Sequence, residues 1–383
     1  TDVSGVASIA RVKVDANLTD NVDVTFRLLN ERAWGTLDTE YERTAAGTAT
    51  NTSTAVDIDL AYVTFKDMLK DVIGVPLTVK LGRQEIRLGS GLLIGDPDTN
   101  RLAQGNFSGG LVSDLSARKS FDAAVAILDL NPLTIVGAAA KGFEGSLVDS
   151  KDDVNVFVLD AAYKLGVMDS TLEVAYVLEQ RNKRVALHDV GDINVIDGRF
   201  TAMPVTDLAV EAEYAYQTQK DTSLRADKDL TSDYAVRLGA TYTLANVAMT
   251  PAIGLDFTRL TKNWNPMFED LTPADIANIL FTNSNADVYG ITLGAKPTKD
   301  ISAKLRGAYL RAVEVPTGTN AGGATFGGIK KQLGWESDLD LAYDYTSDVQ
   351  FGLNFGYFKP GKAFIDDNRD AVSQVIGSMK VSF

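Results

Sequence analysis

Apolar and polar residues alternate along segments of roughly ten residues, joined in turn by a tight link and a long polar one. Near the end of the chain, Leu339, Leu341, Tyr343 and Tyr345 stand against Asp338, Asp340, Ala342 and Asp344. Thr346, Ser347 and Asp348 turn the chain. Val349, Phe351, Leu353, Phe355 and Tyr357 then follow, against Gln350, Gly352, Asn354 and Gly356. Side chains of a strand point alternately to its two faces. Here one face suits hydrocarbon and the other suits water. Sustained along a chain, this pattern predicts an all-β, antiparallel up-and-down barrel that spans a membrane around a wet interior.

The first strand runs from Val6 to Leu18, with Val12 and Val14 on one side and Arg11, Lys13 and Asp15 on the other. Thr19–Asn21 turn it into a second strand through Val24, Phe26 and Leu28. Strands follow through Ile58 and Tyr62, through Leu77 and Leu81, and at 120–130 and 133–143, the last two meeting at Asn131-Pro132, a turn signal. The alternation returns at 154–166, 170–181, 192–203, 206–219, 232–245, 247–260, 286–297 and 300–313. It closes at 335–346, 348–359 and 371–383. Links such as Lys164–Asp169, Pro204–Asp207 and Pro297–Asp300 are short. The links at 34–54, 88–118, 182–191, 220–231, 262–285, 314–333 and 360–370 are long. Short periplasmic turns alternating with long external loops are the outer-membrane arrangement.

This reading counts seventeen strands. Single-chain bacterial barrels carry an even number, so about eighteen are expected of the complete protein. Residues 1–5 would then be a remnant of the missing strand, or the native chain would extend further. In the loop at 262–285, Thr272-Pro273-Ala274-Asp275 predicts a helix start: Thr272 as cap, Pro273 at the first helical position and an acid in the first turn. Ile276, Ile279 and Leu280 follow at helical spacing. Such a helix serves either as a rim cap or as a constriction in the barrel mouth.

Composition narrows the choices. No Pro/Ser-rich linker or charge block divides the 383 residues, so one domain over 1–383 is expected. No run of eighteen apolar residues is present that would make a spanning helix. No charged and apolar leader opens the chain, so a secretory signal, if one existed, is already removed. Cysteine is absent, which excludes disulfides, thiol catalysis and Cys-bound metals. A net charge of −14 disfavours nucleic acid, whose phosphates call for a basic face. The rival for so many strands is a large soluble all-β protein.

Strand parity also writes out the wall. A charge facing lipid at mid-depth costs about 2–4 kcal/mol, so charged positions are assigned to the lumen. The inward cations are Arg11, Lys13, Arg27, Lys80, Arg237, Lys304 and Arg306. The inward acids are Glu31, Asp59, Glu173, Glu179, Glu211, Glu213, Asp256, Asp340 and Asp344. Their mild acidic excess predicts a water-filled route for small polar or charged solutes with a weak preference for cations. Two readings stand: a selectivity wall, and a generic hydrated lining. A polyanion would need a wall rich in Arg and Lys.

Chemistry-bearing motifs are thin. The single histidine, His188, lies in a long loop with no nucleophile motif beside it. Asp96, Asp98 and Asn100 space oxygen ligands like the start of a calcium loop, without the Gly and the distant Glu of an EF-hand. No nucleotide fingerprint is present. The chain reads as a non-enzyme without a cofactor.

Several stretches resemble the alginate-export porin family. They are Leu81-Gly82-Arg83-Gln84-Glu85-Ile86-Arg87-Leu88-Gly89-Ser90-Gly91, then Arg118 with Phe121-Asp122, then Trp264-Asn265-Pro266-Met267-Phe268. Two closing stretches join them, Leu333-Gly334-Trp335-Glu336-Ser337-Asp338-Leu339-Asp340 and Tyr357-Phe358-Lys359-Pro360-Gly361-Lys362-Ala363-Phe364. The resemblance implies an eighteen-stranded barrel in the outer membrane of a Gram-negative-type cell, with plug-like loops in some members. It marks Arg83, Gln84, Arg87, Arg118 and Asp122 as motif positions. It implies the bilayer and lipopolysaccharide as surroundings, and the barrel-assembly machinery as a partner through the terminal Phe383; a homo-oligomer stays open. From residues and resemblance together, a passive outer-membrane porin is the first expectation. A substrate-specific channel for a polysaccharide or organic acid is the second, and a closed barrel with a scaffold or enzymatic role is the third.

Overall fold

In a computed structural model, the described residues are 4–34, 56–97, 120–143, 154–181, 190–221, 228–280, 283–319 and 325–383. Seventeen strands and two short helices lie among them, together with a single 3-10 turn at Asp366–Asn368. The long links expected at 34–54, 88–118 and 182–191 fall largely outside the described residues, and with them Arg118, His188, Asp98 and Asn100.

The chain divides into two compact units. The first comprises Thr1–Asp160, Leu178–Gly191 and Met267–Asp270. The second comprises Ala161–Val177, Asp192–Pro266 and Leu271–Phe383.

In the first unit, β1 (Ala7–Thr19), β2 (Val22–Ala33), β3 (Val56–Phe65), β4 (Leu77–Gln84), β5 (Phe121–Asp129) and β6 (Leu133–Phe143) pair each with the next, all antiparallel. Helix α1 (Lys70–Ile73) fills the link before β4, and Gly74 ends it at φ +72°, a left-handed cap that glycine adopts without strain. Strands β7 (Val154–Lys164), β8 (Thr171–Arg181) and β9 (Val190–Val205) follow. In the second unit the up-and-down order continues. It runs through β10 (Leu208–Asp221), β11 (Lys228–Thr243), β12 (Ala252–Leu260), β13 (Ala286–Ala295), β14 (Ile301–Arg311), β15 (Gln332–Asp344), β16 (Val349–Pro360) and β17 (Val372–Val381). Each of these again pairs antiparallel with the next. Helix α2 (Asp275–Leu280) stands between β12 and β13.

Several expected boundaries move, two of them for a visible reason. Strand β12 begins at Ala252 rather than 247, because residues after Leu244 turn twice. Val247 N–H donates to the Leu244 carbonyl and Thr250 N–H to that of Val247, with Met249 and Thr250 at positive φ. Helix α2 begins two residues later than the Thr272-Pro273 signal placed it. The Ala274 carbonyl accepts the first helical bond, from Asn278 N–H at 3.2 Å.

The two faces of the strands differ as the alternation requires. On β14 and β16, Leu305 and Leu353 are 44 % and 45 % exposed, and Leu293, beside Leu305 in register, is 47 % exposed. This face is greasy and open. Aromatic rings border it at both ends. Tyr289, Tyr309 and Trp335 share one register row, with Phe257 5.0 Å from Tyr289 and Tyr357 5.4 Å from Trp335 between ring centroids. Tyr343, Tyr345 and Phe351 form the other border. Trp335 and Tyr343 are eight residues apart on β15. At about 3.4 Å per residue and a tilt of about 40° this spans roughly 20 Å of membrane normal. The band matches a bilayer's hydrocarbon layer with its interfacial aromatics.

The candidate channel wall and its inward loop

Among the described residues, most charges of the polar face are paired. In the first unit, Arg27 holds Asp59 at 2.5 Å and Glu85 at 2.6 Å. Arg11 reaches the same Asp59 at 3.5 Å, and Ser120 donates to its other oxygen at 3.4 Å. Lys13 pairs with Asp15 at 2.9 Å, and Lys80 lies 5.9 Å from the centre of the Tyr62 ring. Glu31 is half-buried on β2. Glu179 is buried against Arg181.

The described family-motif residues tie neighbouring strands and backbone together. Arg83 grips Asp122 with two bonds of 2.9 and 2.7 Å and donates to the Ile58 carbonyl at 3.1 Å. Gln84 is 3 % exposed, and its amide donates to the carbonyls of Gly82 and Ala123. Arg87 joins Asp270 and the Ser90 carbonyl. Around that pair, Leu92, Leu93 and Ile94 are buried, and the Phe268 carbonyl accepts from Gly95 N–H at 2.7 Å. Phe268 sets its ring edge-on to Phe121, 5.7 Å away. Asp96, from the calcium-like stretch, donates its own backbone N–H to Phe268 at 3.1 Å. No group of three acids or histidines suited to a metal occurs among the described residues.

In the second unit, Glu211 stands between two arginines, Arg237 at 2.7 Å and Arg199 at 3.6 Å, and Arg199 reaches on to Glu173 at 3.3 Å. Glu213, two residues along β10, is buried. Asp256 takes both terminal nitrogens of Arg306, at 2.6 and 2.8 Å. Lys304 pairs with Asp340 at 2.9 Å, and Asp344 accepts from Gln350 at 2.7 Å. Small residues let these long side chains lie down. A Cβ on Gly290 would sit 2.4 Å from the Asp256 carboxylate, and one on Gly239 would sit 2.9 Å from that of Glu211. The wall from β9 to β14 and the segment Leu271–Pro273 enclose a cavity of about 950 Å³.

Helix α2 packs on this polar face. Its apolar side, Ile276 and Ala277, joins Val288, Ala308, Leu310, Leu333 and Phe358 in a buried cluster. Polar groups seat the rest. Arg306 Nε and Nη2 donate to the Pro273 carbonyl at 3.1 and 2.8 Å. Asn354 bridges Asp275 and Asp340, at 3.1 and 2.7 Å. Both oxygens of Glu336 accept the backbone N–H groups of Ile276 and Ala277, at 2.7 and 2.8 Å. Two of the free amides that open the helix are thus satisfied from the wall.

Strand parity identified Arg237, Glu211, Asp256, Lys304, Arg306 and Asp340, and the structure brings the last four of these together around α2. It missed Arg199, whose strand carries Ile193 and Val195 buried on the same parity and so disguises the polar face. Glu336, Asp338 and Asn354 carried the right parity too, and only the loop laid over them distinguishes them from ordinary lining.

A strand wall of paired charges with a loop folded onto it is porin architecture, and comparison bears this out. The family model described as alginate export matches residues 1–259. The chain belongs to the alginate export family. Three solved Pseudomonas aeruginosa proteins share its fold. OccK5 (OpdH) is 12 % identical with a TM-score of 0.57, over 98 % of this chain and 96 % of its own. OccK8 (OprE) is 12 % identical at 0.58, over 98 % and 92 %. OccK11 (OpdR) is 12 % identical at 0.58, over 98 % and 90 %. A comparison with curated proteins returned no significant match. The fold is the outer-membrane porin β-barrel, and the outer membrane is where this alginate export family member resides.

Proposed function

We propose that this chain is a passive channel through which small polar or charged solutes descend their gradient, with a mild preference for cations. The observation that carries the reading is the charge balance where α2 lies on the wall. Asp256, Asp275, Glu336 and Asp340 gather there, with Arg306 and Lys304 as the cations bonded among them. A net negative field beside a water-filled passage concentrates cations and repels anions. No covalent chemistry enters this reading. Reconstituted in a planar bilayer under a KCl gradient, the folded protein is expected to conduct ohmically with a reversal potential on the cation side. A folded barrel that never conducts, or one that selects anions, would overturn it.

Family membership favours a second reading, a route for an acidic polysaccharide. That reading requires arginines and lysines free to meet carboxylates of the polymer. Arg27, Arg199, Arg237 and Arg306 are instead each held by carboxylates of the wall itself. Saturable block of the KCl current by uronate oligomers would support the second reading over the first.

A further inference from the structure

Arg306 and Asp338 occupy directly paired positions on β14 and β15. Their side chains nevertheless do not hold each other. Arg306 turns to Asp256 and to the Pro273 carbonyl, and so pins the residues that lead into α2. Asp338 is left 1 % exposed, and neither carboxylate oxygen accepts a hydrogen bond.

The surroundings of Asp338 are acidic on nearly every side. Its own strand supplies Glu336 and Asp340, and α2 supplies Asp275. Strand β14 supplies Arg306, committed elsewhere, and Lys304, which is held by Asp340. Strand β16 offers no charge there, only Asn354 and Gly356; a Cβ on Gly356 would lie 3.1 Å from both Asp338 and Ile276. Glu336 accepts the helix amides on both oxygens and shares a side-chain hydrogen bond with Asp338.

Resting on the channel reading above, we infer that the protonation state of Asp338 governs whether α2 stays seated on the wall. A neutral Asp338 leaves every anchor intact. A charged one, buried among other carboxylates, is unfavourable. It repels Glu336, Asp275 and Asp340, and it attracts the cation opposite. Each step of Arg306 toward Asp338 gives up Asp256 and the Pro273 carbonyl, and with them the base of α2. Loss of one proton therefore frees the segment and widens the passage.

The test is single-channel conductance across pH, on barrels whose folding is confirmed by heat-modifiable gel mobility. Wild type is expected to step to higher conductance as pH rises. Asp338→Asn is expected to lose that response and stay at the low value. Asp256→Asn, which weakens the rival claim on Arg306, is expected to shift the step to lower pH. The native chain has no cysteine, so the pair Ile276→Cys and Gly356→Cys supplies a reversible lock. Oxidised, it is expected to abolish the response, and reduction to restore it. Proteinase K cleavage within 271–280 over the same pH range reads unseating without any current. An Asp338→Asn channel that keeps the wild-type pH profile, or an oxidised lock that still responds, would overturn the inference. Ohmic current at every pH without the step removes this inference and leaves the channel reading standing. No current at all removes both.

Discussion

Glu336 caps Ile276 from a strand sixty residues further along the chain, its carboxylate taking the amide of Ile276 at 2.7 Å and that of Ala277 at 2.8 Å. Hydrogen bonds to a charged group are worth about 1.5–3 kcal/mol each. Glu336→Ala leaves two buried amides unsatisfied. It is expected to expose the segment 271–280 to proteinase K while the barrel keeps its folded gel mobility. Glu336→Gln, with one acceptor oxygen left, is expected to fall between that variant and the wild type.

Glu211 and Glu213 are neighbours on the same face of β10 with opposite surroundings. Glu211 borders the cavity and neutralises Arg237 and Arg199, whereas Glu213 is buried. Glu211→Gln is expected to move the reversal potential in a KCl gradient toward anions, because it frees two guanidinium groups. Glu213→Gln is expected to leave that potential in place. Equal shifts from both would mean that the exposed side of β10 has been misassigned.

The pair of Arg306 and Asp256 is a two-bond fork with a third party, the Pro273 carbonyl. Lysine offers one nitrogen in place of the planar fork and cannot reproduce this geometry. Arg306→Lys is therefore expected to loosen α2 nearly as much as Arg306→Gln does. A double-mutant cycle with Asp256→Asn, read from urea midpoints of the gel-mobility transition, is expected to give a coupling of about 1–3 kcal/mol.

Gly82 lies in the middle of β4 at φ +124°, and a Cβ there would come within 2.1 Å of the Ala61 carbonyl oxygen. Gly82→Ala is expected to break the β3–β4 pairing at a cost of about 3 kcal/mol or more. The outcome to measure is loss of the heat-resistant folded band. Gly137→Ala is the control, since nothing lies within 4 Å of that position.

Strand existence, strand order and the two faces were legible in the chain because each rests on a local rule. A period of two is written residue by residue, as in Leu339 to Tyr345 against Asp338 to Asp344, and a turn needs only three or four residues to declare itself. Helix α2 was legible as a helix for the same reason. Its start was misplaced by two residues because the groups that cap it lie on β15. The turn after Leu244 was misread because alternation continues through it, although the backbone there reverses twice.

What the sequence by itself determined, then, is the membrane-spanning strand pattern and the parity that sends Arg237, Glu211, Asp256 and Arg306 to the wet side. Only the tertiary structure decided which charges neutralise one another, that Arg306 chooses Asp256 fifty residues away over Asp338 opposite it, and that Glu336 completes a helix from another part of the chain. Parity restricts a side chain to one face of a sheet. The partner it meets there depends on strand register and on where a loop comes to rest, and neither is encoded within the span of a single strand.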